Sequence, residues 1–166
     1  MNSTLANQIA AGEVVQRPAC VLKELLENAL DAGSTQIEVS IERAGVNMIQ
    51  VKDNGRGICK DDLTLAMTKH ATSKIQKQGE HHRSGSLGFR GEALASIASV
   101  ARIEIISRTL DDEHGFSLQV DGGHQAKFIQ PKAHPVGTTV LMRDLFYNTP
   151  ARRHFLKAEQ TETLHI

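Results

Sequence analysis

Apolar residues recur at helical spacing in the stretch PACVLKELLENALDA, which begins at Pro18. Pro18 suits the first helical position, because its missing N–H would have no partner there in any case. Gly33 suits the position just after a helix. The pattern therefore predicts a helix that ends before Gly33 and that packs on a core. The apolar stripe of this helix consists of Val21, Leu22, Leu25, Leu26, Ala29 and Leu30.

Alternating apolar and polar residues predict two strands next, at Gln36–Glu42 and Met48–Asp53. The short link RAGVN between them favours an antiparallel hairpin. Four further strand-like runs follow late in the chain, namely RIEIISR, GFSLQV, AKFIQP and TTVLMRD. Tight turns join most of these strands, not helical crossovers. We therefore expect an α+β fold, a two-layer sandwich with a mixed, mostly antiparallel sheet and helices on one face.

Further helices are predicted at Asp61–Ala71, from about Glu92 to Val100, and from near Pro150. Residues 72–85 lie between the first two of these helices and show few apolar residues and no period. Polar loops of that length inside a compact domain are often lids or binding loops. This segment is therefore a candidate for ligand contact.

Composition narrows the possible classes of protein. A chain of 166 residues suits one domain. The 19 basic residues balance the 19 acidic ones, which argues against a dedicated nucleic-acid-binding domain. No apolar run is long enough to cross a membrane. Cys20 and Cys59 belong to no C-x-x-C pattern and are expected to be reduced thiols in a cytosolic protein.

Glu24, Asn28 and Asp31 fall at i, i+4 and i+7 of the first helix, so they share one face. A carboxylate and a carboxamide beside a buried stripe are well placed to border a pocket. The alternative interpretation is a solvated face on which Lys23 and Glu27 pair at i, i+4. Spacing alone leaves both interpretations open.

The segment DNGRGI begins with Asp53, at the end of a predicted strand. A surface turn would explain it, since Asp, Asn and Gly are typical turn residues. A calcium loop does not fit, because Gly55 and Gly57 stand where oxygen ligands are needed. A ligand contact is the third interpretation. The glycines would then let a planar ring approach, and Asp53 would accept a hydrogen bond from an exocyclic amine such as that of adenine.

The segment SLGFRGEALASI places Gly88, Arg90 and Gly91 directly before a predicted helix. It is not a P-loop, because no Gly-Lys-Ser/Thr follows. Free N–H groups at the start of the helix could bind an anion. A simple helix cap would explain the glycines equally well.

Five segments in this order resemble the MutL family of DNA mismatch-repair ATPases: ELLENALDAG, DNGRGI, HATSK, GFRGEALASI and DLFYNTPARR. The first two are shared with topoisomerase, sensor-kinase and heat-shock ATPases, whereas GFRGEAL and DLFYNTPARR are more specific. The resemblance implies a Bergerat-type ATP-binding fold, with residues 1–166 forming one domain cut from a longer protein. A following domain that carries a phosphate-contacting lysine, and a C-terminal dimerisation domain, would then be absent from this chain. The segment QKQGEHHRSG, at Gln76–Gly85, departs from the family pattern.

The resemblance also implies roles for single residues. Glu24 resembles the general base that activates the attacking water, and Asn28 resembles the magnesium ligand. Asp53 resembles the carboxylate that reads adenine, with Gly55 and Gly57 shaping the base pocket. The other implied nucleotide contacts are Thr72, Ser73 and Lys74 on the lid side, Gly88, Arg90, Gly91, Glu92, Ala93 and Leu94 at the phosphates, and Thr138 near the adenine.

The function implied by the resemblance is slow, Mg²⁺-dependent ATP hydrolysis that drives lid closure and N-terminal dimerisation in mismatch repair. Its implied partners are ATP and ADP, a MutS-like mismatch-recognition protein, a downstream endonuclease and helicase, DNA through the full-length protein, and a second copy when ATP is bound. A cytoplasmic, nucleoid-associated location is expected, with weak or no turnover by this fragment alone. Alternatives are another ATPase of the topoisomerase or sensor-kinase type, which DLFYNTPARR disfavours, and a nucleotide-binding interaction module without turnover.

Overall fold

The computed structural model describes residues 15–67, 87–122, 129–156 and 159–166. Within these ranges, six strands form one sheet in the order β1-β2-β6-β3-β4-β5. The helices are α1 (Pro18–Asp31), α2 (Lys60–Ala66), α3 (Leu87–Val100), α4 (Pro150–Phe155) and α5 (Glu159–Leu164). The strands are β1 (Ile37–Glu42), β2 (Met48–Asp53), β3 (Arg102–Arg108), β4 (Phe116–Asp121), β5 (Ile129–Pro131) and β6 (Gly137–Arg143).

The α+β fold and the hairpin of β1 and β2 are confirmed, with a 3₁₀ turn at Arg43–Gly45 in the link. Each pairing between described strands is antiparallel, where a mixed sheet was expected. The reason is the position of β6, which pairs antiparallel with both β2 and β3. It therefore separates two strands that run in the same direction.

The hydrophobic core lies on one face of the sheet. Ile49 of β2 pairs with Met142 of β6, which also pairs with Ile103 of β3, and the three side chains are buried together. Helix α1 covers this face, with Val21 and Leu25 in the same core cluster. Burying such side chains stabilises the fold by about 1.5–3 kcal/mol each.

The apolar stripe of α1 is confirmed except at its end. Leu30 was expected to belong to the buried stripe, but its side chain is 63% exposed. Ala29, one position earlier, is buried at 1% exposure. At Leu30 the helix therefore extends past the edge of the core, and the periodicity continues where the described part of the chain provides no facing surface.

Helix α3 begins at Leu87, about five residues earlier than predicted. The segment with Gly88 and Gly91 therefore forms the first turns of the helix, and the prediction of a loop directly before the helix is wrong. Leu, Phe, Arg, Glu and Ala surround the two glycines and favour helix enough to offset their cost of about 1 kcal/mol each. The free N–H groups of the helix accordingly belong to its first four residues.

The later elements largely follow the sequence pattern. The helix predicted near Pro150 is α4, and both cysteines are free thiols. The part of Asp61–Ala71 beyond residue 67, the predicted loop at residues 72–85 and the first part of AKFIQP lie outside the described residues. No helix among the described residues is long and apolar enough to span a membrane.

Candidate functional site

A row of three polar side chains lies at one end of the core-facing side of the sheet. Asp53 on β2 pairs with Thr138 on β6, which pairs with Ser107 on β3. Directly paired residues of neighbouring strands point to the same face, so the three side chains are neighbours. Their residues are 8%, 6% and 0% exposed, respectively. Buried polar groups require hydrogen-bond partners, and this row is therefore a candidate binding surface.

The Asp53 carboxylate is held by the loop that follows it. Its Oδ1 accepts a hydrogen bond of 2.8 Å from the backbone N–H of Gly55. Burial raises the pKa of Asp53 above 3.8, and this hydrogen bond opposes part of the rise. Burying the charged carboxylate costs free energy. A ligand that donates a further hydrogen bond to Asp53 would lower this cost and would be bound more tightly.

Ser107 joins three parts of the site, and sequence analysis did not single it out. Its Oγ accepts a 2.7 Å hydrogen bond from the N–H of Ile58 and donates one of 3.0 Å to the carbonyl of Gly137. Its Oγ also lies 2.7 Å from the hydroxyl oxygen of Thr138. The available signal was its position in RIEIISR, where a serine takes an inward position that Ile103 and Ile105 occupy earlier in the strand.

The loop after Asp53 is fastened to the C-terminal end of α1. The N–H of Arg56 donates a 3.0 Å hydrogen bond to the carbonyl of Ala32, and its Nη2 donates one of 2.9 Å to the carbonyl of Asp31. The side-chain oxygen of Asn54 accepts hydrogen bonds of 2.9 Å from the N–H groups of Thr35 and Gln36. These contacts place the helix end and the buried carboxylate side by side.

Both glycines of this loop are required by packing within the protein. A Cβ atom on Gly55 would lie 2.6 Å from the Cβ of Ala32. Gly57 has a φ of +76°, and a Cβ atom there would lie 2.0 Å from the carbonyl oxygen of Arg108. These contacts explain the residue type without a ligand. The predicted contact of the two glycines with a planar ring stays a prediction.

The polar face of α1 carries an oxygen that has no protein partner among the described residues. Asn28 Oδ1 is buried and accepts no hydrogen bond from that part of the chain. Leaving such an acceptor unpaired costs about 1–3 kcal/mol. An amide oxygen is a suitable ligand for Mg²⁺, which retains several waters and needs few protein ligands. Asn28 lies one turn before Ala32, the residue that packs against Gly55 in the loop after Asp53.

Glu24 lies one turn before Asn28 on the same face and is half-buried. The ion pair of the alternative interpretation is also present, with 4.0 Å between Lys23 Nζ and Glu27 Oε1. That pair is largely solvated and does not include Glu24. The helix therefore carries both a solvated ion pair and a separate half-buried carboxylate.

The remaining predicted contacts fall into three groups. Ala93 and Leu94 of α3 are buried at 9% and 6% exposure, and Leu94 belongs to the hydrophobic core, so their predicted contact with the phosphates stays a prediction. Gly88, Arg90, Gly91 and Glu92 lie on the first turns of α3, where only the backbone is described. Thr72, Ser73 and Lys74 lie outside the described residues.

Comparison with known families gives the class of protein. Residues 16–142 match the family model of the histidine kinase-, DNA gyrase B- and HSP90-like ATPases. The described fold is similar to the Aquifex aeolicus MutL ATPase domain complexed with ADP, with a TM-score of 0.71 and 36% identity over 92% of this chain and 52% of that chain. It is also similar to the N-terminal domain of a DNA repair protein, with a TM-score of 0.81 and 32% identity over 98% of this chain and 47% of that chain. The sheet, its helices and the matched sequence define a domain of this ATPase class.

Curated relatives narrow the assignment. The DNA mismatch repair protein MutL of Pseudomonas fluorescens (strain SBW25) is 57% identical over 100% of this chain and 26% of the relative's length. MutL of Klebsiella pneumoniae subsp. pneumoniae is 57% identical over 98% of this chain and 26% of the relative's length. The chain therefore belongs to the MutL family of DNA mismatch-repair proteins, and it spans about a quarter of the length of these relatives.

Proposed function

We propose that this chain is the ATP-binding part of a mismatch-repair ATPase, which binds ATP with Mg²⁺ and hydrolyses it slowly. The observation that carries the proposal is the buried Asp53 carboxylate, whose loop is fastened to α1, the helix on which the Asn28 oxygen has no partner among the described residues. The first group suits a hydrogen-bond donor of a purine, and the second suits a divalent cation. A loop fastened to α1 brings the two regions together.

Asp53 would read the adenine. Its carboxylate can only accept hydrogen bonds, and the exocyclic amine of adenine can only donate them. A charge-assisted hydrogen bond of this kind is about twice as strong as a neutral one. Because burial penalises the charged carboxylate, the incoming amine would relieve part of that penalty. Thr138 on β6, which pairs with Asp53 on β2, would complete the polar edge that faces the base.

Asn28 would hold Mg²⁺ through Oδ1, and the ion would neutralise charge on the triphosphate. Glu24, on the same face, would hold the attacking water and accept its proton as general base. Phosphoryl transfer depends mainly on positioning and on neutralisation of charge, so few side chains are needed. Glu24 fits that role better than Glu27 does, because Glu24 shares a helix face with Asn28 whereas Glu27 pairs with Lys23.

The phosphates would be bound by the start of α3 together with Thr72, Ser73 and Lys74. In a helix that begins at Leu87, the N–H groups of residues 91–94 donate to helix carbonyls and are not available to a phosphate. Binding through those groups would therefore require the first turns of α3 to unwind. Gly88 and Gly91 each lower the cost of unwinding by about 0.5–1 kcal/mol relative to alanine.

The domain assignment and the wider role are part of the same proposal. Residues 1–166 would form the ATP-binding domain, and the lysine of a following domain would complete the phosphate site. Isolated turnover would accordingly be weak. In the whole protein, ATP would close the lid and pair two copies, and hydrolysis would reopen them. The paired state would connect a MutS-like mismatch-recognition protein to an endonuclease and a helicase on DNA, in the cytoplasm at the nucleoid.

The test is a calorimetric titration with Mg²⁺ and a non-hydrolysable ATP analogue. We expect saturable binding by the wild-type chain and a loss of roughly tenfold or more in affinity for Asp53→Asn, because the charge-assisted acceptor is removed. Asp61→Asn is the matched control, since Asp61 is exposed on α2. Absence of wild-type binding, or equal affinity of wild type and Asp53→Asn, would overturn the proposal.

A further inference from the structure

We propose that Ser107 is a positioning residue that makes Thr138 a hydrogen-bond acceptor, and that it thereby sets a preference for 6-aminopurines over 6-oxopurines. This inference rests on the proposed binding of a purine nucleotide beside Asp53. Ser107 is 0% exposed and would act on the base through Thr138, not by direct contact.

The hydroxyl of Ser107, like that of any serine, has one donor and two acceptor sites. The N–H of Ile58 can only donate, so it uses one acceptor site at 2.7 Å. The carbonyl of Gly137 can only accept, so at 3.0 Å it uses the donor. Thr138 Oγ1, 2.7 Å away, must then donate its own hydrogen to the second acceptor site of Ser107.

The opposite arrangement makes fewer hydrogen bonds. If Ser107 donated to Thr138, it would no longer donate to Gly137, and its second acceptor site would be empty. Only the bonds from Ile58 and to Thr138 would then remain. Because Ser107 and Thr138 are both buried, a lost hydrogen bond between protein groups is not replaced by one to water. The arrangement with three bonds to Ser107 is therefore favoured.

The consequence for the site is that Thr138 presents only lone pairs to a bound base. The neighbouring Asp53 carboxylate also only accepts. Two adjacent acceptors match the amine at position 6 of adenine, directly or through a water that both groups orient. They disfavour guanine, because its carbonyl at position 6 is also an acceptor. Neither Asp53 nor Thr138 could then form a hydrogen bond with it.

Ser107 has a second effect through the loop that carries Gly55 and Gly57. Its hydrogen bond to the N–H of Ile58 fixes the end of this loop to β3. Gly57 directly precedes Ile58 in this loop, and a Cβ atom on Gly57 would clash with the carbonyl oxygen of Arg108. One hydroxyl thus connects the loop, the Gly137 carbonyl and the Thr138 side chain.

The experiment compares the affinities of ADP and GDP, each measured by calorimetry with Mg²⁺, for wild type and three variants. In Ser107→Ala the Thr138 hydroxyl is free to turn and donate, so the preference for ADP should fall by about tenfold, the value of one hydrogen bond. Ser107→Thr keeps a hydroxyl and should retain the wild-type preference. Ser117→Ala is the matched control, because Ser117 is a buried serine on β4 that pairs with Ile106, outside the Asp53 row.

Thr138→Val keeps the shape of the side chain and removes the acceptor, so it should lower the preference to the same extent even if Ser107→Ala does not fold. An unchanged ADP-to-GDP ratio in folded Ser107→Ala, or in Thr138→Val, would overturn the inference. If wild type binds ADP while the ratio is insensitive to both variants, only this inference fails. If wild type binds neither nucleotide, the proposed function fails with it.

Discussion

The backbone N–H of Gly55 donates a 2.8 Å hydrogen bond to the buried carboxylate of Asp53. This bond keeps a charged group in a position where burial raises its pKa. The carboxylate therefore weakens the free protein, and a hydrogen-bond donor on a ligand would offset part of that cost.

Asp53→Asn should raise the stability of the nucleotide-free chain at neutral pH. The raised pKa means that the folded state binds the proton more tightly than the unfolded state does. Stability from this group therefore falls as pH rises from about 3.8 through the folded pKa, and the loss persists above it. Denaturant titrations at pH 7 and at low pH should show a gain for Asp53→Asn at pH 7 that shrinks on acidification. Lower stability at pH 7 would contradict the prediction.

Glu24→Ala should retain nucleotide binding and lose hydrolysis in the full-length protein. Removing a general base typically lowers turnover by about 10²–10⁴-fold, whereas binding depends on other groups. Steady-state ATPase assays and calorimetry measure the two effects separately. Glu27→Ala is the matched control, because Glu27 pairs with Lys23 in solvent. Turnover that survives in Glu24→Ala would exclude it as the base.

Asn28→Ala should remove the dependence of nucleotide affinity on Mg²⁺. The buried Oδ1 has no partner among the described residues, so its removal leaves no protein acceptor unpaired. Because the unpaired oxygen costs about 1–3 kcal/mol in the free chain, we expect Asn28→Ala to raise the free energy of unfolding by a similar amount. Titrations of the ATP analogue with Mg²⁺ and with a chelator should give equal affinities for this variant. A Mg²⁺ effect as large as that of wild type would show that another group holds the ion.

Gly57→Ala should be clearly more destabilising than Gly33→Ala. Both glycines have a left-handed backbone, with a φ of +76° at Gly57 and +74° at Gly33. A Cβ atom on Gly57 would lie 2.0 Å from the carbonyl oxygen of Arg108, whereas one on Gly33 would meet no atom within 4 Å. Gly33→Ala should cost about 1–2 kcal/mol from the backbone alone. Gly57→Ala should add about 1–3 kcal/mol for the clash with Arg108. Equal costs in denaturant unfolding would show that the loop moves away from β3 freely.

The local spacing of apolar residues was sufficient to predict the helices and strands that bury one face in the core. The alternation around Ile49 and Ile103 and the stripe around Leu25 each gave the observed strand or helix, because burial on one face imposes their period. Leu30 shows the limit of this reasoning, since periodicity does not reveal where the facing surface ends. The start of α3 shows another limit. Helix formation there depends on the summed preference of a whole segment, which two glycines do not outweigh.

The site was less accessible to sequence reasoning than the fold. Asp53 and Thr138 were expected near the base through the family resemblance, but Ser107 was not expected at all. Its role depends on register between β3 and β6, which brings together positions far apart in the chain. Register is fixed by tertiary pairing, and no local spacing rule reveals it.

The placement of β6 between β2 and β3 has a consequence for synthesis on the ribosome. The two strands that flank β6 are complete after residue 108, yet β6 itself begins only at Gly137. A nascent chain therefore leaves the inner edges of β2 and β3 without hydrogen-bond partners until the late strand emerges and inserts. Competence to hold a nucleotide would arise at that moment and not gradually, because the same insertion closes the sheet and delivers Thr138.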